Sequence, residues 1–137
     1  KLLPYLGALP LPENISGMKQ FLAAMELRLS EKCCIVIYPE AHLWDYCTFI
    51  RPFPPDSFRY PLKYEKPVYC MTTTYQKRRR GRKPKITIYI DGPFTAEGDG
   101  GIKEKTSALC KSVYDCMVSR SKMSNYEYVK YEKIDEQ

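Results

Sequence analysis

The sequence predicts an α/β fold, a layered mixed sheet with flanking helices. Three observations carry that expectation. Two stretches repeat apolar residues at helical spacing, three stretches are rich in β-branched and aromatic residues, and the segments alternate along the chain. At 137 residues there is room for one domain with one core.

The first helix is expected over residues 17–31, with Ser16 as its N-cap. Met18, Phe21, Leu22, Met25 and Leu29 fall three or four apart and form an apolar stripe. The preceding "PYLGALPLPENISG" is broken by Pro and Gly and reads as a strand-like entry and a turn. "CCIVIY", residues 33–38, follows the helix and shows little alternation, the mark of a strand buried on both faces. A helix leading into a buried strand implies a parallel element.

Residues 40–56 are irregular, with Pro52, Pro54 and Pro55 close together. "DSFRYPLKYEK" reads as a short helix capped by Asp56 or Ser57 and interrupted at Pro61. "PVYCMTTTY" is a second strand. "KITIYIDG" is a third, setting Ile86, Ile88 and Ile90 against Thr87, Tyr89 and Asp91. Tyr38, Tyr69, Tyr75 and Tyr89 are expected in the core or half-buried. After a loop at "PFTAEGDGG", residues 103–121 form a second long helix with Leu109, Val113, Cys116 and Met117 on one face. The domain is read as residues 1–121. Residues 122–137 form a charged, tyrosine-rich tail expected to be partly ordered at best.

The net charge of +6 is concentrated. Lys77, Arg78, Arg79, Arg80, Arg82, Lys83 and Lys85 lie in one stretch, and the rest of the chain is close to neutral. The stretch sits between two expected strands, with Gly81 central, and suits an exposed hairpin tip. Such a tip could touch anionic lipid head groups. "RRGRKP" differs from the minor-groove hook R-G-R-P by an inserted Lys, so nucleic acid is the weaker reading.

No apolar run reaches the length of a membrane span, and the opening residues do not form a signal peptide. The first residue is Lys rather than Met, which reads as an excised piece. The six cysteines form no C-x-x-C pair and are expected to be reduced, mostly buried thiols of a cytosolic protein. Cys33, Cys34, His42 and Cys47 lack any familiar zinc-ligand spacing, so no metal is expected. A Cys-His hydrolase using His42 with Cys33, Cys34 or Cys47 lacks an evident oxyanion loop.

"YPEAHLW" lies at the end of an expected strand, where ligands of open α/β sheets bind. Glu40 could be a base or a hydrogen-bond acceptor. His42, the single histidine, could be a base. Equally, Glu40 could brace the loop backbone while His42 fills space beside Trp44.

"IVIYPEAHLW" resembles the V-x-I-F-P-E-G-T-R-S block of the glycerolipid (lysophosphatidate-type) acyltransferases. "PYLGALPLP", "TFIRPFPPDSFRYPLKYEKPVYCMTTTY" and "KITIYIDGPF" resemble further segments of that family in unbroken order, to about residue 121. The resemblance implies a partial glycerol-phosphate acyltransferase-like domain. It implies transfer of an acyl chain from acyl-CoA or acyl carrier protein to lysophosphatidate or a related acceptor in phospholipid biosynthesis. No cofactor is implied beyond the donor itself.

The family's catalytic pair is a histidine and an aspartate in H-x-x-x-x-D, and nothing here fits that spacing. Cys47 stands five residues after His42, and Asp45 three. The resemblance therefore places the pair before Lys1, and the 137-residue chain alone is expected to be inactive. Pro39 and Glu40 match the substrate-binding block, whereas Ala41, His42 and Leu43 replace its Gly, Thr and Arg. An anion contact would then come from protonated His42, or from Arg51, Arg59 or Lys63, with Arg51 the first choice. The implied location is the cytoplasmic side of a membrane, held peripherally or by segments outside this chain. Missing domain parts would also expose apolar surface through which the chain could pair with itself.

Overall fold

The computed structural model describes residues 7–9, 11–12, 14–96 and 99–132. The chain divides into two units, Lys1–Ile37 and Tyr38–Gln137.

The first unit is built on helix α1, Ile15–Ser30. Asn14 caps it, its side chain accepting from Gly17 N at 2.8 Å. Ser16, the expected cap, lies inside the first turn; both residues are good capping types, and the backbone of Asn14 is the one that is extended. Met25 is buried, and the other four stripe residues are half-buried. Lys32 ends the helix in the left-handed region at φ 61°, with Cys33 N bonded to Arg28 O. Of the strand-like entry expected before the helix, residues 4–6, 10 and 13 lie outside the described residues, and residues 7–9 and 11–12 form no strand.

Residues 33–38 form no strand. Cys33 and Cys34 are exposed, and Val36 and Tyr38 are 66% and 82% exposed. The expectation of a strand buried on both faces is therefore corrected. Such a strand needs neighbours for its backbone N–H and C=O groups, and the described sheet has two strands, joined to each other.

The second unit carries that sheet. A 3-10 turn at Pro55–Phe58 runs into the short helix α2, Arg59–Lys63. Pro54, with no side-chain bond, occupies the capping position expected for Asp56 or Ser57. Strand β1, Val68–Gln76, pairs antiparallel with β2, Lys85–Phe94. Helix α3, Ile102–Ser121, packs on one face of the hairpin, and Glu104 accepts from Gly101 N at its start. The fold is thus mixed α and β, with three α-helices among the described residues. The expected parallel element is not among the described residues, where the pairing is antiparallel. None of the described helices is long and apolar enough to cross a membrane.

The core joins Phe58, Cys70, Leu109, Cys110 and Val113, with Phe53, Leu62, Val68, Cys116 and Met117 packed against it. The expected inner face of the second long helix is thus the one that α3 uses. Alternation in the strands is also present, but α3 covers the Cys70, Thr72, Thr74 side. Ile86, Ile88 and Ile90 face outward, each more than half exposed. Tyr69 and Tyr38 are exposed rather than half-buried, whereas Tyr75 and Tyr89 are partly shielded.

Gly92 faces a register shift between Val68 and Cys70. It has φ 133°, and a Cβ there would lie 2.8 Å from Val68 O. Only glycine meets both conditions without rearrangement.

The tail is tied down as far as residue 131. Asn125 N and Tyr126 N both donate to Tyr75 O, Ser124 Oγ accepts from Tyr75 N, and Asn125 Oδ1 accepts from Lys77 N. These bonds satisfy backbone groups at the end of β1 that would otherwise form an open edge. Residues 133–137 lie outside the described part.

Candidate functional site

The segment from Tyr38 to Arg51 folds into a compact loop at the start of the second unit. Ala41 N donates to Tyr38 O at 3.2 Å, closing a turn through Pro39 and Glu40. Pro39 supplies the fixed φ that suits the second position of such a turn. His42 N then donates to Glu40 O at 2.7 Å. Ala41 lies at φ 61°, in the left-handed region where a β-carbon costs on the order of 1 kcal/mol. A backbone in this region favours glycine, which has no β-carbon to crowd the neighbouring carbonyl.

Arg51 closes the loop. Its backbone N donates to Glu40 Oε2 at 3.2 Å, and its Nη2 donates to Glu40 O and His42 O. Its Nε lies 3.4 Å from Glu40 Oε2, close enough for an ion pair though without hydrogen-bond alignment. The guanidinium lies 4.5 Å from the centre of the Trp44 ring, a cation–π distance. Both Arg51 and Glu40 side chains are largely withdrawn from solvent, at 18% and 26% exposure. The pair is therefore less screened than a surface ion pair.

Glu40 thus braces the loop backbone and lies beside the Arg51 guanidinium, which is one of the roles its position allowed. His42 is exposed and offers its carbonyl to Arg51. Pro39 and Ala41 set the backbone course. Arg59 and Lys63 lie on α2 instead, each over an adjacent tyrosine ring: Arg59 over Tyr60 and Lys63 over Tyr64. The structure thus brings together Pro39, Glu40, Ala41, His42 and Arg51.

Aromatic residues hold the loop against the tail. Trp44 stacks on Tyr131 with ring centres 4.9 Å apart, Phe49 meets Trp44 edge-on, and Tyr131 Oη donates to Asp45 O. Tyr46 packs on both Tyr75 and Tyr128. Nothing in the linear sequence pointed to Tyr131, because its partners lie far away along the chain. Trp44 was visible as a neighbour of the motif, but its contact with Arg51 was not.

Cys47 donates from its Sγ to Phe49 O at 3.2 Å. Burial is the largest influence on its thiol and pushes it above the ordinary range. A thiol held protonated is the opposite of an activated nucleophile, which disfavours Cys47 in a Cys-His hydrolase.

The basic residues Lys77, Arg78, Arg79, Arg80, Arg82, Lys83 and Lys85 are all exposed at the hairpin turn between β1 and β2. Gly81 has φ 94° there, and Pro84 is buried beneath. Tyr126 Oη reaches Arg82 O at 3.4 Å. The tip is thus charged outward and tethered at its base.

No family model, no curated protein and no solved structure matches the chain.

Proposed function

We propose that this chain carries the acceptor-binding part of an acyltransferase that moves a fatty acyl group from acyl-CoA or acyl carrier protein to lysophosphatidate or a related glycerolipid. The domain would then be part of a glycerol-phosphate acyltransferase-like α/β fold. The observation that carries this reading is the loop closed by Glu40 and Arg51, in which Ala41 takes the left-handed backbone that the resembling block assigns to glycine.

In this reading the acceptor's phosphate meets Arg51, and the exposed His42 beside it is a further donor. A guanidinium fork is matched to phosphate oxygens, and Glu40 holds it at the loop. In the transfer itself the acceptor hydroxyl attacks the thioester carbonyl. A C–O bond forms, the C–S bond breaks, and the thiol leaves with the proton the base removed. That base belongs, by the resemblance, to an H-x-x-x-x-D segment that this chain does not contain.

Calorimetric titration with a short-chain lysophosphatidate, below its micelle concentration, tests the reading. Arg51→Ala should weaken binding about tenfold or more, since a hydrogen bond to a charged group contributes ~1.5–3 kcal/mol. Equal affinity of the two proteins would overturn the assignment. Acyl transfer by the 137-residue chain alone, given acyl-CoA and lysophosphatidate, would overturn the assignment of the base to another segment.

The exposed basic tip supports a second role, contact with an anionic lipid surface. Seven cations near such a surface contribute on the order of 1 kcal/mol each at low salt. Replacing all seven with Gln should abolish binding to vesicles containing phosphatidylserine. Unchanged vesicle binding would remove the tip from the membrane contact.

A further inference from the structure

The inner face of the hairpin gathers three groups that are scattered in the sequence. Cys70 lies on β1, Asp91 on β2 and Cys116 on α3. The strand register sets Cys70 opposite Asp91, and α3 lays Cys116 over them. The two sulfurs and a carboxylate oxygen all lie within 4.8 Å of one another. Cys70 is buried, and the other two are half-buried.

We propose that Cys70, Asp91 and Cys116 form a zinc-binding site that ties α3 to the β1–β2 hairpin. The site is independent of the acceptor loop and lies in a different part of the unit. Two thiolates and a carboxylate are a donor set that zinc takes, with bonds of about 2.3 Å to sulfur and 2.0–2.2 Å to oxygen. Two sulfurs on one tetrahedral ion stand roughly 3.8 Å apart at that bond length, so the observed spacing needs at most a small side-chain adjustment. On binding, each thiol releases its proton to solvent and the sulfur takes the metal in its place.

The surroundings are also those of a metal ligand. Arg120 grips the Asp91 carboxylate through Nε, at 3.1 and 2.9 Å, and through Nη2, at 2.6 Å. The guanidinium is itself backed by the Tyr89 ring at 4.8 Å. Outer partners of this kind fix the direction of a ligating carboxylate. Zinc with two thiolates and a carboxylate carries one negative charge, and Arg120 neutralises it. One residue pair along the same face of β1, Thr72 keeps a buried hydroxyl with no hydrogen-bond partner among the described residues. Three protein ligands leave a fourth position for water or a further group.

Cobalt(II), a spectroscopic substitute for zinc, tests the proposal on the reduced chain under anaerobic conditions. One equivalent should produce thiolate-to-cobalt absorption in the near ultraviolet and the visible bands of a tetrahedral site. One equivalent of zinc should bleach both. The signal should persist in the Cys33→Ser, Cys34→Ser, Cys47→Ser triple variant and vanish in Cys116→Ser, with far-ultraviolet circular dichroism confirming that each is folded. Asp91→Asn, which leaves both thiols in place, should weaken binding tenfold or more and serves if Cys116→Ser does not fold. Absence of thiolate bands in the unaltered chain, or bands unchanged in Cys116→Ser or Asp91→Asn, would overturn the proposal.

Discussion

The two faces of the β1–β2 hairpin share one backbone and differ in almost everything else. The face under α3 carries Cys70, Thr72 and Thr74 from β1, and Thr87, Tyr89 and Asp91 from β2. The other face carries Tyr69, Met71, Ile86, Ile88 and Ile90, each more than half exposed. Ranked by hydrophobicity alone, the second face would be the inner one. The helix lies instead on the face of small and hydrogen-bonding side chains. Thr72 and Thr74 are almost wholly buried. Thr74, Gln76 and Thr87 bond one another and the backbone, and Arg120 of α3 meets Asp91. Small side chains let a helix approach closely, and the bonds of the Thr74 and Thr87 hydroxyls offset the cost of burying those two groups, which the Thr72 hydroxyl does not share.

Four substitutions sharpen or break that contrast. The largest effect belongs to the covered side. Leu109→Ala removes a side chain from the centre of the core and should cost about 2–5 kcal/mol, read from urea unfolding. Gly92→Ala comes next at roughly 1–3 kcal/mol, because the new methyl meets Val68 O and the φ is unfavourable.

Tyr75 separates the two faces more finely. It follows the exposed register of β1, yet Tyr46 packs against it. Burial first, then nearby Cys47, raises its phenol above the usual tyrosine value. A raised folded-state pKa means that its contribution to stability is complete below the unfolded value, ~10. That contribution is lost as pH rises through the folded-state value. Tyr75→Phe should flatten this alkaline limb in thermal melts taken across pH, and an unchanged limb would mean that this end of the face is not shielded. The smallest effect belongs to the open face, where Ile88→Thr should change stability by no more than about 0.5 kcal/mol. A loss comparable to that of Leu109→Ala would show that the isoleucine face is covered.

The hairpin also shows what was legible in the sequence and what was not. Strand identity and alternation were readable, because period-two patterning follows from backbone geometry. Which face received the helix was not, because that depends on partners such as Arg120 and Cys116, distant in the chain. The "CCIVIY" run has strand chemistry, but pairing requires a neighbour, which composition does not reveal. In the candidate site, Glu40 and Arg51 were readable from the motif and the segment after it. Their ion pair, the stacking on Trp44 and the anchoring Tyr131 came only with the folded loop. Cys70, Asp91 and Cys116 have no ligand spacing in the sequence because three separate elements bring them together.

The loop at residues 38–51, proposed to bind the acceptor, and the basic tip are two cation-bearing regions that a phosphate could choose between. Amide chemical shifts of the isotope-labelled chain, followed during titration with short-chain lysophosphatidate, decide between them directly. The acceptor-loop account predicts shifts concentrated in residues 38–51, lost in Arg51→Ala and retained when the seven basic residues at 77–85 are replaced by Gln. Shifts centred on residues 77–85, with residues 38–51 unmoved, would contradict it.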